Sequence, residues 1–300
     1  MTVAVQEKVT GLAEAVARIR DGDTVAIGGS LLRRHPMAII HEMIRQRKRD
    51  LRLIGWNNAI DMDLLIGVGA VRAVETSYVG MGMFGLARHY RRAVEAGSLR
   101  VVEHSETTAI DAFRAGSMGW TFFPTKTPLG TGLLQHNPTV RMTTCPYTGE
   151  PWALMPAFRP DVAILHMHSA DRLGNVQLDQ RRELDNEVDA LMGKAARTTI
   201  VTVEQIVSEE YVMHHPHLTV LPRFFVTAVV EAPYGAHPTA CDCRYDYDLA
   251  FIREYHEATA TPEGFQAWLD RYVRGAGEHR GYLERLGIRR LLDLTWPREN

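Results

Sequence analysis

Three hundred residues, 45% of them hydrophobic, suffice for a large buried core in one big domain or two small ones. A formal net charge of −2 carries no polyanion signal, so nucleic acid is not an expected partner. No apolar run approaches a membrane span, MTVAVQEKVTGLAEAV has charges where an export signal needs an apolar block, and three cysteines cannot all pair; a reducing cytoplasm is the expected setting.

Residues 9–19 place Val9, Leu12, Ala13, Val16 and Ile19 at helical spacing and run into the stop signal Asp21-Gly22-Asp23. Residues 24–27 (TVAI) read as the first strand, closed by Gly28-Gly29-Ser30. Pro36 opens a helix, PMAIIHEMIRQRK, with Ile39, Ile40, Met43 and Ile44 on one face. Strand, two glycines, then helix is an arrangement that binds anions, because glycine lets the backbone approach and helix amides point outward. A tight strand-to-helix turn is the plain alternative. Residues 51–55 form a second strand, followed by the polar Trp56-Asn57-Asn58, and Asp61 or Asp63 precedes an apolar helix into Gly67 and Gly69. Residues 71–78 read as a third strand ended by VGMG, and 89–96 as a helix with a solvated charged face. Residues 99–103 are strand-like, and HSETT leads into a helix over 109–114. Glu106 there is also a carboxylate favoured by the helix dipole.

Residues 122–124 (FFP) are expected to continue the sheet, before the long loop TKTPLGTG (125–132); Lys126 in it is either solvated or a phosphate partner. A turn at 147–150 belongs to a short β-excursion. Residues 162–165 (VAIL) are a continuous apolar run after Pro160, the pattern of a strand buried on both faces of a parallel sheet. SADRLGN (169–175) follows at its carboxyl end, where open α/β sheets bind ligands, so this loop and PLGTG (128–132) are expected to line one crevice. His166 and His168 alternate onto one side of the strand, with Asp171 nearby. Neither they, nor His214-His215-Pro216-His217, nor Cys241-Asp242-Cys243 complete a metal-ligand spacing, so no metal is expected.

Residues 186–196 read as a helix, 198–203 as a strand and 224–230 as the last strand, before the irregular loop EAPYGAHP. Residues 248–259 and 262–273 are amphipathic helices whose Phe251, Tyr255, Phe265, Trp268 and Tyr272 pack on the sheet or on another subunit. Strands alternating with helices predict one α/β domain: an open, mostly parallel sheet with helices on both faces, a core over about 8–240, and a helical extension over about 245–300 packed on it. Met81, Met83, Phe84 and Trp120 hint at a bulky apolar ligand or are core.

RAGSMGWTFFPTKTPLGTG, PYTGEPWALMPAF, RPDVAILHMHSADRLGNVQ and EAPYGAHP, in that order, resemble the class I (glutaconate-type) coenzyme A transferases, in their alpha, or A-type, half. The resemblance covers almost all of the chain. It implies the family's fold, a coenzyme A thioester as substrate with no further cofactor, and a beta-subunit partner of similar fold in an α2β2 assembly that moves CoA between an acyl-CoA and a carboxylic acid. It puts Gly28, Gly29 and Ser30 beside the substrate and Gly80 of SYVG near the acyl group. It puts Lys126, Gly130 and Thr131 on a loop at the partner interface close to the thioester.

The resemblance also aligns Glu106 with a glutamine that helps form the oxyanion hole in ketoacid-type members. An ionised carboxylate only accepts hydrogen bonds and cannot do that job. Relatives that hydrolyse a ring-opened steroid CoA thioester carry a glutamate in this region that acts as a base. In the family, the beta subunit bears a glutamate–glycine motif whose carboxylate attacks the acyl-CoA and then carries CoA as a thioester. Glu95-Ala96-Gly97 and Glu263-Gly264 are read in helices and not at a strand end, so this chain is expected to lack that nucleophile. Three readings stand: the alpha subunit of a heteromeric CoA transferase; a subunit of a CoA-thioester hydrolase with Glu106 as general base; and a non-catalytic regulatory subunit that binds CoA or an acid.

Overall fold

The structure, a computed structural model, describes residues 6–179 and 184–296. The first five residues of the charged amino-terminal stretch and the last four of the carboxyl-terminal extension lie outside them. After α1 (Leu12–Ala17) come four strand–helix units: β1 (Thr24–Ile27) with α2 (Met37–Arg45), β2 (Leu51–Ile54) with α3 (Ile60–Gly67), β3 (Val71–Thr76) with α4 (Arg88–Glu95), and β4 (Arg100–Glu103) with α5 (Glu106–Ser117). An excursion follows through β5 (Phe122–Thr125), the single turn α6 (Leu133–His136), β6 (Arg141–Thr144) and β7 (Pro151–Pro156). The chain returns through β8 (Val162–Ala170), β9 (Val176–Gln177), α7 (Leu184–Ala195), β10 (Thr198–Ile206), α8 (Glu209–His214), β11 (Thr219–Leu221) and β12 (Ala228–Glu231). It ends in α9 (Leu249–Ala258), α10 (Pro262–Leu269), α11 (His279–Leu286) and α12 (Ile288–Leu294).

The main sheet has nine strands. Seven of them run parallel in the order β12-β10-β8-β1-β2-β3-β4, and β9 and β11 extend the end of β8 with antiparallel pairs. From β1 the chain winds one way through β2, β3 and β4; from β8 it winds the other way through β10 and β12. The order therefore reverses between β1 and β8, the kind of point at which doubly wound sheets open a crevice.

Every residue of β8 is buried. Its side chains split by alternation: Val162 and Ile164 join one apolar cluster with α2, α3 and the carboxyl-terminal aromatics, while Ala163, Leu165 and Met167 join another with α5 and α7. The both-faces reading of VAIL is thus what the sheet builds. Phe251, Tyr255, Phe265, Trp268 and Tyr272 are all buried in the first cluster, so the terminal helices cover one face of the sheet.

Residues 122–124 correct the sequence reading. They do not continue the main sheet; β5, β7 and β6 form a separate three-stranded antiparallel sheet. Pro124, Pro151 and Pro156 lack the amide a central ladder needs, and proline is confined to edges and strand ends. The expected last strand at 224–230 is also shorter: Arg223–Phe225 is a 3-10 turn, and β12 begins only at Ala228. Among the described residues, no helix is long and apolar enough to cross a membrane.

Candidate active site at the strand ends

The segments after β1, β2, β3 and β4 are tied to one another by hydrogen bonds. After β1, the amide of Gly28 donates to Ile164 O (3.0 Å) and that of Ser30 to Arg33 O (2.9 Å). The Gly29 amide donates to Asp189 Oδ1 at 2.8 Å. All three amides thus have protein acceptors, which corrects the expectation of a free anion cradle here. What the glycines supply is closeness: a Cβ on Gly28 would stand 2.6 Å from the Leu165 side chain, and Gly29 has φ +91°. Asp189, from α7, also accepts from the fully buried Arg34 at 2.5 Å, so a buried ion pair fastens this turn across the β1–β8 junction.

The segment after β2 is the bridge. Trp56 Nε1 donates to Gly29 O (3.1 Å) and Leu31 N to Asn57 O (2.8 Å). Toward β3, Asn58 N donates to Tyr78 O (2.9 Å), Gly80 N donates to Asn58 O (3.0 Å), and Ser77 Oγ donates to Trp56 O. Toward β4, Asn57 Nδ2 donates to Glu106 Oε1 at 3.2 Å. Gly80 is another close approach, where a Cβ would collide with the Tyr78 ring.

Glu106 is exposed in the first turn of α5, where a carboxylate faces the positive end of the helix dipole. Ser105 caps that turn: its Oγ accepts from Thr108 N (3.2 Å), while Thr108 Oγ1 accepts from Ser105 N (2.9 Å). Beneath it, buried His104 shares a hydrogen bond with Glu75 (3.0 Å), which also accepts from Arg52. Burial pushes the Glu75 carboxyl up, but the bonds from His104 and Arg52 outweigh it and hold its pKa below the ordinary glutamate value. The helix that carries Glu106 therefore starts on a rigid base.

Lys126, Gly130 and Thr131 lie on the separate excursion. Lys126 pairs with Glu150 at 3.0 Å and lies over the Trp152 ring. Gly130 adopts φ +75°, and Thr131 Oγ1 donates to Pro128 O at 2.8 Å. The loop joins the strand ends through Asn137, whose Nδ2 donates to Glu103 O at 2.9 Å. The 169–175 loop is fastened elsewhere, by Lys8 N to Arg172 O (2.9 Å) and Arg223 N to Asn175 Oδ1 (3.1 Å). The two loops are thus fastened to different parts of the chain, and the hydrogen bonds at the strand ends instead join Gly28–Ser30, Trp56–Asn58, Ser77–Gly80 and Glu106. Met81 is core, whereas Met83, Leu86 and Leu31 are exposed.

The histidine pair occupies the other half of the sheet. His166 Nε2 meets Glu204 Oε1 at 2.8 Å, and its Nδ1 meets Thr202 Oγ1 at 2.9 Å. His166, Glu204 and Cys241 offer ligand atoms within 4.8 Å of one another, but an ion there would have to break the His166–Glu204 bond. His168 donates from Nε2 to Asp242 O (2.7 Å) and accepts the Asp179 amide at Nδ1 (2.9 Å). Burial pushes its pKa down to about 4, so the ring stays neutral. A cavity of about 940 Å³, with Ser169, Glu204, Tyr234, Arg244 and Trp296 among its lining, opens at these strand ends.

The sequence model of the family described as coenzyme A transferase matches residues 9–232. The chain belongs to the coenzyme A transferase family. It is 37% identical to the A-type subunit of the 3-oxoadipate CoA-transferase of Pseudomonas knackmussii, over 88% of this chain and 93% of that one. It is 30% identical to the cholesterol ring-cleaving hydrolase IpdA subunit of Rhodococcus jostii, over 90% and 94%. The crystal structure of glutaconate coenzyme A-transferase from Acidaminococcus fermentans superposes with a TM-score of 0.92 at 32% identity, covering 97% of this chain and 96% of that one. The chain also spans 62% of the length of an uncharacterized Archaeoglobus fulgidus protein, at 37% identity.

The glycine turn, the Ser77–Gly80 segment and Glu106 are joined through Trp56–Asn58. Asn57, Asp189 and the His104–Glu75 pair were not singled out. A polar Asn-Asn directly after an apolar strand was the only local signal for the first; nothing local marks a helix aspartate 160 positions away.

Proposed function

We propose that this chain is the A-type half of a two-subunit coenzyme A transferase that moves CoA between an acyl-CoA and a carboxylic acid. The observation that carries this reading is the convergence of four parallel strand ends on the exposed Glu106. That face can form one wall of a thioester pocket and leaves room for a second wall. The nucleophile comes from a B-type partner of similar fold, in an α2β2 assembly. Glu95 ends α4 and Glu263 lies in the first turn of α10, so neither glutamate–glycine candidate stands at a strand end. Gly28–Ser30 and Gly80 shape the pocket floor by close packing. Lys126, Gly130 and Thr131 face the partner from the excursion. No cofactor is needed beyond the CoA thioester, and the thiols of Cys145 and Cys241 fit the cytoplasm.

The test is to assay CoA exchange with this chain alone and with a B-type partner carrying a glutamate–glycine motif. Exchange is expected only from the pair; full activity from this chain alone would overturn the reading.

A second reading, hydrolysis of a CoA thioester with Glu106 as general base, is favoured by one feature. The side chain beside the site is an exposed carboxylate held by an amide, which can accept a proton and cannot donate to an oxyanion. Glu106→Gln separates the two readings. Loss of hydrolysis by about 100-fold or more marks a base; transfer that survives or rises marks an oxyanion position.

A further inference from the structure

The segment that closes α2 reads RQRKR (45–49), a run of cations that the candidate active site does not use. A hollow of about 810 Å³ lies beside it, where β2 and β3 begin and at the opposite end of α2 from the glycine turn. Arg45, Arg47, Lys48, Arg49 and Arg274 line it with the apolar Ile44 and Val68, and no acid is in the lining. That volume is ordinary for a small-molecule site. The chain as a whole carries a formal net charge of −2, so five cations around one hollow are a local concentration.

The acids nearby do not use up that charge. Arg45 Nε donates to Glu42 Oε2 at 2.7 Å, Arg49 meets Asp21 at 3.0 Å and Arg274 meets Asp270 at 3.2 Å. The last two pairs are exposed, where an ion pair is worth little. Lys48 Nζ donates to Ile19 O. Arg47 is exposed, and among the described residues its side chain has neither an acid nor a hydrogen-bond partner. Its backbone sharpens the point. The helix ends in a Schellman motif, with Arg47 N donating to Ile44 O (3.0 Å) and Lys48 N to Met43 O (3.0 Å). Arg47 holds the left-handed position of that motif, at φ +55°, where glycine is usual. An arginine there costs stability, and it forms no side-chain bond that offsets the cost. Backbone outliers of this kind point to function.

We propose that this hollow binds a diphosphate-bearing anion, with Arg47 as its principal contact. Guanidinium groups match phosphate oxygens in forked pairs of hydrogen bonds. Several cations around one hollow suit an anion of several charges better than a single carboxylate. Arg47 supplies an unengaged fork, and Arg49 and Arg274 can turn to the anion from their exposed acids. Arg45 is the fixed part of the wall, held by Glu42 and by Val273 O at 3.3 Å, with its Nη2 buried without an acceptor. Ile44 and Val68 give the hollow an apolar side against which an uncharged body attached to the diphosphate can lie. Inorganic pyrophosphate and a nucleoside diphosphate share this chemistry.

The experiment is calorimetric titration of the full chain with inorganic phosphate, pyrophosphate and ADP. Pyrophosphate is expected to bind at least about 10-fold more tightly than phosphate, and less tightly as salt rises. Arg47→Gly removes the guanidinium and gives the turn its usual residue. It is expected to lower pyrophosphate affinity about 10-fold or more while melting at the same temperature as the unchanged chain or higher. Glu106→Gln, at the other end of the strands, should leave the affinity unchanged. ADP bound more tightly than pyrophosphate marks a nucleotide as the form taken; ADP bound no more tightly marks the free anion. Pyrophosphate held no better than phosphate, or affinity that survives Arg47→Gly, overturns the proposal. So does an Arg47→Gly variant that melts lower, because the arginine then serves the fold. Affinity lost in Glu106→Gln overturns it as well, since the anion then sits at the carboxyl ends of the strands.

Discussion

Asp63 shows how a single buried charge sets a pH response. It is fully buried on α3, accepting from Tyr90 N at 2.9 Å and Tyr255 Oη at 2.8 Å. Burial raises its pKa from 3.8 to about 6, against the pull of those two bonds. The folded chain therefore holds this proton more tightly than the unfolded chain does. Above the folded value both states are ionised and the full cost of the buried charge is present. As pH falls from about 6 toward the ordinary aspartate value, the folded state is protonated first and stability rises. Urea midpoints at about pH 7 and about pH 5 should show that rise, and Asp63→Asn should flatten it. Glu106 and the glycine turn were legible in the sequence because a helix start and a Gly-Gly pair are local patterns. The commitment of the glycine amides was not, since their acceptors, Asp189 among them, arrive from distant parts of the chain.

Among the elements, the carboxyl-terminal helices were read from their aromatic spacing, and their packing follows from it. Trp268 of α10 is buried with its ring 5.5 Å from Phe251, 5.0 Å from Tyr255 and 5.4 Å from Tyr272. Trp268→Ala should cost about 3–5 kcal/mol, measured by denaturant unfolding, because neighbouring rings cannot close the gap. The loss should leave the Asn57–Glu106 bond untouched, since α10 packs in the apolar cluster of α2, α3 and α9, to which neither residue belongs. β5 taught the opposite lesson. Its apolar Phe122-Phe123 looks like a strand of any sheet, and only the prolines in it and in its partner β7 decide which one.

Across the whole molecule, winding in two directions from a central pair was implicit in the alternation of strands and helices. Which two strands meet was not, because β1 and β8 are separated by α2, three further strand–helix units and the excursion. At the ends of β1 to β4, bonds from Trp56, Asn57 and Asn58 join the segments, and Glu106 is exposed beside them.

Nine consecutive buried residues in β8, paired with β10 along the strand and with β1 over its first three residues, have a consequence for amide hydrogen exchange. Their N–H groups can meet solvent only when the chain opens completely, so the slowest amides should sit in β8 and report the global free energy of unfolding. The amides of Leu31 and Asn58, bonded across the strand ends, should be freed by local opening and exchange sooner. Mixing in a B-type partner should slow the β8 amides by the linkage gain in global stability alone, and the second group by more if the partner also suppresses local opening at the strand ends. Deuterium uptake would thus separate tightening of the pocket wall from tightening of the whole chain.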